Sequence, residues 1–110
     1  MKIDSASELA RELAAIVPAF AERWDEGESR GYTDGDYTYH TVFQELSALD
    51  LTHSTTKQIK AICLIINDFI SRGGDYENAA STCFLEHASQ IGVRDIIKPY
   101  LSDSARTELR

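Results

Sequence analysis

Apolar residues in this chain recur every three or four positions and almost nowhere alternate strictly, which commits it to helices rather than sheets. Leu9, Leu13, Ile16, Phe20 and Trp24 keep one face over about four turns. Ahead of them, Ser5 and Glu8 have capping-box spacing, with Ser5 accepting from an orphan N–H and Glu8 reaching back. Pro18 falls inside the stripe and removes one ladder hydrogen bond. A kink or break is therefore expected near Val17, with the same face still buried.

A second stripe, Tyr39, Val42, Phe43, Leu46 and Leu49, follows a cap at Asp36 or Thr38. Ser54 or Thr55 caps a third, which carries Ile59, Ile62, Cys63, Ile66, Phe69 and Ile70. Leu64 and Ile65 widen that stripe, so several neighbours must cover this helix and it belongs at the centre. Gly73-Gly74 reads as a left-handed C-cap, after which Asp75 caps a helix placing Tyr76, Ala79, Ala80, Cys83, Phe84, His87 and Ile91 together. Gly92 ends it. A short segment from Val93 to Tyr100 and a last helix capped by Ser102 or Asp103 complete the chain. The expectation is one all-α domain over residues 1–110, a compact bundle of five or six short helices. Exposed apolar positions such as Leu64 and Leu85 leave the choice between monomer and dimer open.

At 110 residues the chain can bury a core without disulfides or metal. Its longest purely apolar run, Ala61 to Ile66, is far short of the ~20 residues of a membrane span. The opening Met1-Lys2-Ile3-Asp4 meets acid too early for a signal peptide, so a cytoplasmic location is expected.

The formal net charge is −7, and its placement matters more than its size. Residues 1–50 hold 11 acids and 4 bases, whereas residues 51–110 hold seven of each. Free DNA or RNA and anionic lipid need clustered Lys and Arg, so both are disfavoured as ligands. A basic protein partner fits.

Chemistry has few footholds. Cys83 and His87 are four apart on one predicted helical face, a spacing that suits two zinc ligands, with Cys63 or His53 to complete the site. The same face is where small core residues ordinarily sit, and no Cys-x-x-Cys or His-Glu-x-x-His accompanies the pair. A calcium loop beginning at Asp25 would need glycine at its sixth position, where Arg30 stands. Both cysteines fall on core faces, where a thiol stays protonated. The reading is therefore no enzyme and no cofactor, with a zinc-dependent enzyme through Cys83 and His87 as the outlying alternative.

One constellation remains. Residues 25–36 hold three glycines, five acids and no aliphatic side chain, and read as an acidic loop. Between Asp25 and Asp50 seven acids face the single Arg30, with Tyr32, Tyr37 and Tyr39 interleaved. Tyrosines supply contact area at low entropy cost, and carboxylates steer and pair with basic groups. The candidate partner-binding residues are Asp25, Glu26, Glu28, Tyr32, Asp34, Asp36 and Tyr37, with His40 at the following helix start. The competing reading makes Tyr39 a core residue and the rest a solvated linker.

Three stretches carry a resemblance: His40-Thr-Val-Phe43, Asn78-Ala-Ala-Ser-Thr-Cys-Phe-Leu-Glu86 and Tyr100-Leu-Ser-Asp-Ser-Ala-Arg106. Over roughly residues 36–110 the chain resembles a family of small helical bacterial proteins, some of them similar to immunity proteins of polymorphic toxin systems, contact-dependent growth inhibition among them. The resemblance implies a protein that neutralises a cognate toxin, such as a basic RNase or tRNase, by stoichiometric binding. It brings no catalytic residues, and Asn78, Phe84 and Glu86 are expected to be structural, with Asn78 and Glu86 tying neighbouring helices together. The alternative is an acidic helical adaptor or regulatory subunit that binds another basic protein.

Overall fold

A proline pushes the residue before it out of helical conformation, and Val17 accordingly sits at φ −122°, ψ 104°. It separates α1 (Ala6–Ile16) from α2 (Pro18–Ser29), which opens on the proline. Phe20 and Trp24 nevertheless stay buried beside Leu9 and Leu13, so the apolar face survives the break. The computed structural model describes residues 3–29 and 38–110, and residues 25–29 by their backbone alone. Ser5 Oγ accepts the Glu8 backbone N–H at 3.1 Å, as its spacing requires. The Glu8 carboxylate receives the N–H of Asp4 at 3.3 Å, one residue earlier than in a capping box.

The expected loop over 25–36 starts too early. The backbone of α2 stays helical through Ser29, so residues 25–29, Gly27 included, belong to the helix. One interior glycine costs only about 1 kcal/mol, too little to stop a helix already propagating.

Thr38 is the N-cap of α3 (Tyr39–Ser47), and its N–H donates to Thr41 Oγ1 at 3.3 Å. α4 (Thr56–Arg72) opens on a full capping box, with Gln58 N–H donating to Thr55 Oγ1 at 3.1 Å and Thr55 N–H donating to Gln58 Oε1 at 2.8 Å. Gly73, at φ +71°, ends α4 and is also the N-cap of α5 (Gly74–Cys83). Asp75 therefore lies inside the first turn of α5 instead of capping it.

α5 is shorter than its apolar pattern suggests. It stops at Phe84 (φ −134°, ψ −62°) and gives way to a 3₁₀ turn over Leu85–His87. The chain end takes over there, since Arg110 N–H donates to the Leu85 carbonyl and Ser89 N–H donates to the Arg110 carbonyl, each at 3.1 Å. The turn buries Leu85 completely, against its expected exposure, whereas Leu64 keeps 64% of its surface in solvent. α6 (Arg94–Ile97), a second 3₁₀ turn over Lys98–Tyr100, and α7 (Asp103–Thr107), capped by Ser102, finish the chain. The fold is a compact all-α bundle. Among the described residues its seven α-helices exceed the expected five or six because Val17 divides the first in two.

α4 forms the centre. Its Ile59, Ile62, Cys63, Ile65, Ile66 and Phe69 are all buried, and α1, α5, α6 and α7 pack against it. Polar clamps fix the neighbours: the Asn67 amide donates to the Tyr100 carbonyl at 3.1 Å and accepts from Ser102 N–H at 2.8 Å. Between α2 and α3, Arg23 Nε meets Glu45 Oε2 at 2.5 Å, in a pair whose carboxylate is 10% exposed. Among the described residues, no helix is long and apolar enough to cross a membrane.

Candidate functional site

Three helices begin at one place. The first residues of α1, α3 and α5 line a groove of about 510 Å³, walled by Asp4, Ser5, Thr38, Tyr39, His40, Asp75 and Tyr76. Helix starts carry partial positive charge from unpaired N–H groups, and carboxylates placed there are stabilised. Asp4 precedes α1, Glu8 sits in its first turn, and Asp75 and Glu77 lie in the first turn of α5.

An aromatic cluster backs the groove. Phe69, fully buried on α4, takes edge-on contacts from Tyr39, Phe43 and Tyr76, with ring centres 5.0, 5.4 and 5.5 Å away. Tyr39 and Tyr76 meet at 5.2 Å, and the Arg72 guanidinium lies 4.9 Å from the Tyr76 ring centre. Arg72 is anchored by Asp68 at 2.8 Å and by donation to the Ile3 carbonyl. The phenol of Tyr39 is held above its ordinary value, by burial first and then by the charge and hydrogen bond of Tyr76. It therefore remains protonated at neutral pH.

His40 is half-buried on the groove wall, and its Nδ1 lies 3.2 Å from Cys83 Sγ at the end of α5. Residues 43 positions apart thus join α3 to α5. When the thiol donates to Nδ1, the ring proton of the neutral imidazole resides on Nε2.

His40 is the one sequence-derived candidate whose side chain is described. Asp25, Glu26 and Glu28 stand on the last turns of α2, with their side chains outside the described residues. Tyr32, Asp34, Asp36 and Tyr37 lie outside the described residues altogether. Sequence reasoning missed Asp4, Asp75 and Tyr76 as site residues. The caps at Ser5, Thr38 and Gly73 mark helix starts, but a cap says nothing of where three starts meet.

The zinc pairing of Cys83 with His87 does not form. The break at Phe84 takes the two off a common face, leaving Cys83 buried and His87 exposed, with His87 Nδ1 3.1 Å from Gln90 Oε1. Cys63 is fully buried, its thiol pushed up to about 12 by desolvation, and His53 is an exposed partner of Asp50. Among the described residues no three His, Cys, Asp or Glu side chains gather as a metal site. Asn78 and Glu86, expected to tie helices together, are exposed and border a second groove of about 400 Å³ beside Glu77 and Glu108. Phe84 is structural as expected, and fully buried. No known protein family, curated protein or solved structure was found to match the chain.

Proposed function

We propose that the chain is an immunity protein, which binds and neutralises a cognate basic nuclease toxin of a contact-dependent growth inhibition system in the cytoplasm, by stoichiometric binding. The observation that carries this reading is the acidic, tyrosine-lined end of the bundle. Asp4 and Asp75 line the groove of Tyr39 and Tyr76, Glu8 and Glu77 lie in the first turns of α1 and α5, and in the sequence Thr38 follows the acidic run that holds Asp34 and Asp36. Arg72, the cation packed on Tyr76, is already engaged by Asp68.

A nuclease active site is basic because it must hold phosphates. Carboxylates offered where phosphates would lie steer the inhibitor in, with association rates up to about 10⁸ M⁻¹s⁻¹ or more at low salt. Tyrosine rings then supply area that persists after the charges are screened. Discrimination among toxins comes from where the rings and charges sit and from clashes with non-cognate surfaces. The reading asks for no bond to be broken by this chain.

The test is charge reversal at Asp34 and Asp36 together, followed by stopped-flow association with the toxin. The expected result is an on-rate at low salt reduced about tenfold, with a flatter salt dependence. Unchanged on-rates at low salt would remove the acidic run that holds Asp34 and Asp36 from the interface.

A further inference from the structure

The two cysteines have opposite surroundings. Cys63 has 0% exposure, and the acceptor near its sulfur is the Ile97 carbonyl at 3.7 Å, which can take a proton's hydrogen bond but cannot take the proton. Cys83 keeps 7% of its surface open at the last residue of α5, where the helix breaks. Its sulfur lies 3.2 Å from His40 Nδ1 and 3.6 Å from Thr82 Oγ1. A nucleophilic sulfur within hydrogen-bond reach of a base is the arrangement that activates thiols, while the Thr82 hydroxyl donates to the Asn78 carbonyl at 2.7 Å.

We propose that Cys83 is a covalent modification site for small electrophiles and hydroperoxides, activated by His40. The Sγ proton passes to His40 Nδ1. With a hydroperoxide, the thiolate attacks the terminal oxygen, an S–O bond forms and the O–O bond breaks. Sulfur loses two electrons, becoming a sulfenic acid, and the peroxide gains them. The proton held on His40 goes to the departing hydroxide or alkoxide, giving water or an alcohol. With a haloacetamide, the thiolate displaces halide and a thioether forms. Because His40 also lines the groove between α1, α3 and α5, an adduct on Cys83 removes the hydrogen bond that fixes this ring.

The test exposes the folded protein to iodoacetamide at neutral pH, and separately to hydrogen peroxide with dimedone as the sulfenic-acid trap. Peptide mapping then reads both cysteines. Cys83 should carry the adduct at least about tenfold faster than Cys63, which should label only after denaturation. His40→Gln, which preserves a hydrogen-bonding side chain but cannot take the proton, should slow Cys83 labelling by about tenfold or more. Equal labelling of the two cysteines in the wild-type protein, or a rate in His40→Gln equal to wild type with its helical signal intact, overturns the proposal.

Discussion

Phe69 is the residue on which the groove's walls rest, and replacing it with leucine tests that arrangement directly. The ring is fully buried, and Tyr39, Phe43 and Tyr76 all meet it at near-perpendicular ring angles with centre distances of 5.0 to 5.5 Å. Each aromatic pair is worth about 0.5–1.5 kcal/mol beyond area burial, and leucine recovers the dispersion of only part of the vacated space. Loss of three such pairs, offset by that partial refilling, gives a destabilisation of about 2–3 kcal/mol. With a urea slope of about 1.5 kcal/mol/M, the unfolding midpoint should fall by about 1.3–2 M. Urea unfolding followed by helical circular dichroism measures it, and near-ultraviolet dichroism of the tyrosines should weaken in the folded baseline. A midpoint shift below about 0.3 M would refute the claim that this cluster holds α3, α4 and α5 in register.

Two glycines should respond with opposite sign. Gly92→Ala forces a side chain into φ +77° and should cost about 1–2 kcal/mol of unfolding free energy. Its nearest neighbour, Thr52 Cγ2 at 3.5 Å, leaves room for a methyl, so the cost is one of backbone strain. Gly27→Ala, on a helical backbone, should instead gain up to about 1 kcal/mol, and a loss there would contradict the extension of α2 to Ser29. Cys63 predicts an alkaline weakness. Its folded thiol ionises near 12 against an ordinary value of 9.0, so its contribution is complete below pH 9 and is lost as pH rises toward 12. Wild type should therefore lose about 1 kcal/mol more than Cys63→Val between pH 8 and pH 10, measured as urea midpoints, and parallel losses would show that the burial of this thiol carries no such linkage.

Much of the fold was written locally. Pro18 dictates the break at Val17, Thr55 and Gln58 cap each other as spaced, and the stripe from Ile59 to Ile70 lies inward at the centre. What escaped was set by distant partners. Nothing in Phe84-Leu-Glu-His87 is a helix breaker; past Phe84 the chain end supplies partners, the Arg110 N–H to the Leu85 carbonyl and the Arg110 carbonyl to the Ser89 N–H. In the turn that follows, Leu85 is buried and His87 exposed, which separates His87 from the buried Cys83. His40 was legible as a site candidate for its place at a helix start. Its partner Cys83, 43 residues away, and the convergence of three helix starts depend on packing that no local pattern encodes.

The central claim is neutralisation by stoichiometric binding. The most direct measurement titrates this protein into a purified nuclease toxin captured with it from its native host, reading nuclease activity and complex mass together. The account predicts activity falling linearly to zero at one inhibitor per toxin, with the mass of a 1:1 complex. Full nuclease activity in the presence of excess inhibitor would contradict it.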